Sequence, residues 1–145
     1  MNATRRLDPL LNLHRLRRRV LKQLLAALRA QHLELSRRLE ELCQEWARVR
    51  AWKVQGLAAG LEAHPWRLSE HWTSSAERQS SELTARLSEV GAQVQDAERR
   101  LLRASQELKM LSTLQERRAA REKELEQRRE QRDLDEMASR CGGRP

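Results

Sequence analysis

Chemistry could sit at few places in this chain: four histidines, two cysteines, one pair of closely spaced glycines and a cluster of arginines. His64 and His71 stand seven apart, and no cysteine or carboxylate set completes a metal site around them. Gly56 and Gly60 bracket three residues, but the Lys and Ser or Thr of a phosphate-cradling loop do not follow. Cys43 and Cys141 are too far apart in the two-helix arrangement argued below to bridge, and Cys43 is expected as a small buried hydrophobe. No Cys–His or Ser–His–Asp set can be assembled on such a frame, which offers no enclosed pocket. The chain therefore reads as non-enzymatic, with neither cofactor nor metal.

What remains is the chemistry of binding. The formal net charge is +8, unevenly placed. Residues 1–35 hold eight basic and two acidic side chains, residues 112–145 nine and eight, and the 76 residues between contribute only +1. A basic end calls for an acidic partner surface. Leu10, Leu13 and Leu16 run through the first cluster beside Arg15, Arg17, Arg18 and Arg19, and the second cluster holds Arg128, Arg129 and Arg132. The four tryptophans, Trp46, Trp52, Trp66 and Trp72, gather in the middle of the chain. Trp46 reads as core; Trp52, Trp66 and Trp72 read either as a cap on a turn or as a recognition patch. Specific nucleic-acid reading is disfavoured: the position eight after Asn2 or Asn12 is Leu10 or Val20, not the Arg of a basic zipper, and no aromatic is interleaved with the arginines.

The elements that position these residues are helices. Ala, Glu, Lys, Leu and Arg supply 88 of 145 residues, and Ile, Phe and Tyr are absent, so strands have little to be built from. Leu83, Leu87, Val90, Val94, Ala97, Leu101, Ala104, Leu108 and Leu111 alternate four- and three-residue steps. Leu21, Leu25, Leu28, His32, Leu35, Leu39, Leu42, Trp46 and Val49 do the same. Such a 3.5-residue repeat keeps one stripe against one partner helix. The fold class is therefore all-α: a long two-helix antiparallel coiled-coil hairpin, a rod of roughly 75 Å. The expected register sets Val49 against Leu87, Leu35 against Leu101 and Leu25 against Leu111. It also sets Trp46 against Val90 and Gly91, and His32 against Ala104.

In chain order, residues 1–145 form a single hairpin: helix 1 over about 9–57, a turn over about 58–74, helix 2 over about 75–140 and a frayed tail at 141–145. Asp8 and Pro9 supply the start of helix 1. The apolar alternation slips between Leu111 and Leu114, beyond which the seam would read Leu114, Arg118, Arg121 and Leu125. Charge pairs such as Glu124 with Arg128 then carry the helix on. No apolar run approaches the roughly 20 residues of a membrane span.

Three stretches carry a resemblance: Glu116-Arg117-Arg118, Arg121-Glu122-Lys123-Glu124, and Arg129-Glu130-Gln131-Arg132-Asp133-Leu134-Asp135-Glu136. With the Leu10, Leu13, Leu16 and Arg17 to Arg19 opening, they resemble the FliJ/YscO family of type III secretion systems. Arg48-Val49-Arg50-Ala51-Trp52 is more similar to the YscO-like injectisome branch than to the flagellar one. The resemblance implies a central stalk seated in a hexameric secretion ATPase and coupling it to the export gate's cytosolic ring. Escort chaperones are further partners, and the place is the cytoplasm, at the secretion apparatus on the inner membrane. On this chain it assigns Leu10, Leu13, Leu16, Arg15, Arg17, Arg18, Arg19, Arg128, Arg129 and Arg132 to the ATPase. Trp52, Trp66 and Trp72 go to the gate or a chaperone. The alternatives are a generic antiparallel coiled-coil scaffold and a basic nucleic-acid-binding rod.

Overall fold

Strict heptad spacing outruns the stretches where it is apolar, and that decides the architecture. In the computed structural model, whose backbone is described for residues 2–60 and 63–143 and whose side chains for 7–60 and 67–143, two helices account for the fold. Helix α1 spans Asn2–Ala59 and α2 spans Ala63–Gly142. They pack against each other as a helical hairpin without strands among the described residues. Two units divide it: residues 22–99, and residues 1–21 with 100–145.

Apart from Ser36, beside the seam, the covered positions on α1 are Leu7, Leu11, His14, Arg18, Leu21, Leu25, Leu28, His32, Leu35, Leu39, Leu42, Trp46, Val49, Lys53 and Gly56. Four- and three-residue steps alternate throughout, so the repeat includes polar residues that apolar counting passes over. On α2 it runs unbroken from Ser69 through Thr73, Ala76 and Ser80 to Leu108, Leu111 and Gln115. The slip expected at Leu114 is absent. Leu114 is exposed, and half-buried Gln115 holds the seam position, donating a hydrogen bond to the Asp8 carboxylate.

The turn is tighter and earlier than the sequence suggested. Gly60 ends α1 at φ 71°, the left-handed conformation that favours glycine after a helix. Gly56 remains inside α1, buried on the seam. Pro65 falls in the first turn of α2, where its missing N–H has no helical partner to lose. The stretch 63–74, expected as part of the turn, is helical. At the other end, Pro9 lies inside α1 rather than at its start. An interior proline costs about 3 kcal/mol, offset here by seam residues on both sides: Leu7 half-buried and Leu11 the most deeply buried large side chain.

Moving the apex slides the register. Leu35 shares a groove with Val90, and Leu42 one with Leu83. The His32 side chain meets Gly91, not Ala104, and Lys53 Nζ donates to Thr73 Oγ1 at 3.4 Å. Trp46 lines a groove with Val49, Lys53 and Thr73 rather than meeting Val90. The expected register is thus displaced by about two heptads, although large still faces small. Arg29 donates to Glu98 at 2.9 Å alongside this seam.

Candidate functional site

The unit formed by residues 1–21 and 100–145 carries two apolar surfaces on α1, one buried and one bare. Leu11 is 2% exposed, whereas Leu10, Leu13 and Leu16 are 39%, 61% and 55% exposed and Val20 54%. With Leu11 and His14 as a and d, Leu10 is a g position and Leu13 and Val20 are c positions. These lie beside the seam rather than in it. Their exposure does not come from arginines across the hairpin, as the expected register implied. The seam of α1 here is met by leucine-bearing turns of α2, with Leu108 buried, and the second stripe points elsewhere.

Arg15, Arg17 and Arg19 are exposed around that stripe. Arg18 is half-buried because it occupies a seam position. Arg128, Arg129 and Arg132 are not brought to the stripe. They lie on an exposed part of α2 past Gln115, which already meets Asp8 near the start of α1; Arg128 is roughly 20 Å further along. Arg128 instead pairs along its own helix with Glu124 at 2.6 Å, as the spacing predicted. The residues α2 does set beside the stripe are Met110 and Leu114, 67% and 41% exposed, on c and g positions. They line an open groove with Gln106, Lys109, Thr113 and Arg117. In an antiparallel pair the g positions of the two helices flank the same side of the seam. Leu10, Leu13, Met110 and Leu114 therefore share one face. The α2 half of this face was missed in the sequence, although c and g leucines and methionines beside a seam are a readable signal.

His14 marks the border of this face. Its Nδ1 is buried without a hydrogen-bond partner and lies 3.8 Å from a Glu107 carboxylate oxygen.

In the unit of residues 22–99, Trp52 is 42% exposed and Trp72 half-buried, both on g positions and hence on one side of the seam. Leu57 and Leu68 are exposed nearby in sequence. Trp46 is half-buried on the seam, with the Arg50 guanidinium 4.9 Å above its ring. The side chain of Trp66 lies outside the described residues, as does that of His64. Cys43 is exposed, not buried, since it sits one position outside the seam; both thiols are free. Among the described residues, no cluster of three or more His, Cys, Asp or Glu is placed to hold a metal, and no helix is long and apolar enough to cross a membrane.

The arrangement can grip other proteins through exposed apolar residues on a charged helical frame. A family model described as the flagellar FliJ protein matches residues 3–145. No curated protein and no solved structure matches the chain.

Proposed function

Because the chain belongs to the FliJ family, whose members are non-enzymatic stalk proteins of flagellar and related type III export, we propose that it seats its two termini in a hexameric secretion ATPase and couples that enzyme to the export gate. The observation that carries this reading is the bare Leu10, Leu13 and Leu16 stripe among exposed Arg15, Arg17 and Arg19. A stalk end held in a ring needs apolar contact for grip and charge to steer entry. The Trp52 and Trp72 side of the turn-bearing unit is the candidate contact for the gate's cytosolic ring or an escort chaperone. Trp66 is proposed with them from its place in the sequence. The injectisome reading rests on Arg48-Val49-Arg50-Ala51-Trp52, and the cytoplasmic face of the inner membrane is the place this role requires.

The test is ATPase turnover with the purified secretion ATPase. Reversing charge at Arg15, Arg17, Arg19 and Arg129 should abolish stimulation while leaving helicity unchanged. Full stimulation by that variant at physiological salt would sink the assignment of this end. Replacing Trp52 and Trp72 by Ala should spare stimulation and weaken gate or chaperone capture.

A further inference from the structure

The face shared by Leu10, Leu13, Val20, Met110 and Leu114 has a shape as well as a polarity. Its residues come from both helices and lie on the same flank of a two-helix seam. A helix that uses a and d for one partner and c and g for another is set up to pack against two helices at once. On α1, positions Leu10, Leu13, Arg17 and Val20 keep the same alternating steps as the seam, each one residue earlier. On α2 the corresponding positions are Arg103, Glu107, Met110, Leu114, Arg117 and Arg121. A surface of regular heptad spacing fits an elongated helical occupant better than a loop.

Charge selects among helical occupants. Arg17, Arg103, Arg117 and Arg121 stand on this flank, and its one carboxylate, Glu107, already faces His14 at 3.8 Å. A second copy of the chain would bring the same arginines against one another. A helix carrying Asp and Glu beside its apolar stripe would neutralise them.

We propose that this face is a docking groove for one amphipathic helix of a partner protein, with leucine-like residues in its stripe and carboxylates on its flanks, completing a local three-helix bundle. Assigning that helix to the ATPase rests on the function proposed above; the groove itself rests on the heptad positions and charges just described.

The experiment uses the full-length chain and a fluorescein-labelled synthetic peptide of three heptads, with Leu at a and d and Glu at e and g. A second peptide carries Lys in place of Glu. Anisotropy should show binding of the Glu peptide and none of the Lys peptide. Leu13→Glu with Met110→Glu should weaken binding by about tenfold or more, since buried apolar contacts are exchanged for carboxylates facing carboxylates. Leu33→Glu with Leu102→Glu, exposed leucines off this flank, should leave it unchanged. Both substituted pairs are exposed, so far-ultraviolet circular dichroism should match the parent.

Equal binding of both peptides, or equal loss in both double variants, overturns the groove. So does a dimer in sedimentation that Leu13→Glu with Met110→Glu converts to monomer, because the occupant is then a second copy. If that variant loses the peptide but stimulates the ATPase fully, the groove stands and its assignment to the ATPase falls.

Discussion

The Nε2 atom of His32 stands 4.0 Å from the point where a Cβ would project from Gly91. A large polar ring on the seam of α1 is accommodated because α2 offers no side chain beside it. This is ordinary van der Waals separation, so the space admits a methyl group and little more.

Gly91→Ala should therefore stabilise the protein by about 0.5–1 kcal/mol, because alanine is the better helix former and its methyl fits. Gly91→Leu should destabilise it by about 1–3 kcal/mol by displacing His32. Thermal unfolding of both variants checks this, and the idea fails if they shift in the same direction.

Leu35 and Leu108 are 6% and 7% exposed, and Leu102, next to seam residue Leu101, is 59% exposed. Leu35→Ala and Leu108→Ala should each cost about 2–3 kcal/mol. Leu102→Ala and Gln93→Ala should cost less than about 0.5 kcal/mol in denaturant titrations.

The register can be read by cross-linking on a Cys43→Ser, Cys141→Ser background. Leu42→Cys with Leu83→Cys should be joined by a short bifunctional maleimide, since both residues line one groove. Val49→Cys with Leu87→Cys should not be, because Leu87 lies about 20 Å along the axis from the turn opposite Val49. The reverse yields would restore the register expected from the sequence.

Gly60 is the only residue of positive φ among those described. Gly60→Ala should cost about 1–2 kcal/mol through the left-handed backbone it must keep. Calorimetry showing no loss would place the chain reversal elsewhere.

Helix content, the hairpin and most of the seam were legible because an apolar stripe at 3.5-residue spacing has one economical partner, a second such stripe in the same chain. The register was not legible, for a reason built into the repeat. Sliding one helix by a whole heptad returns every a position to a d position, so leucine spacing cannot tell one alignment from the next. Only the apex decides, and Gly56, Gly60 and Pro65 all break the helical pattern, so the sequence does not say which of them ends α1. The same slide misplaced Arg128, Arg129 and Arg132 relative to Leu10. The bare leucine stripe itself was visible from its phase, whereas Leu114 was hidden by being read as part of a failing seam, and Met110 stood one position outside the apolar alternation.

Past Glu122, every described residue of α2 is exposed. Nothing in that stretch sets the alignment of the two helices, so insertions or deletions of any length there should leave Gln115 opposite Asp8. Between Ser69 and Leu111 a single-residue deletion would turn every later seam residue by about 100°, whereas removal of seven restores the face. Length variation past Glu122 should thus leave the pairing of the two helices intact, whereas between Ser69 and Leu111 it is confined to multiples of seven.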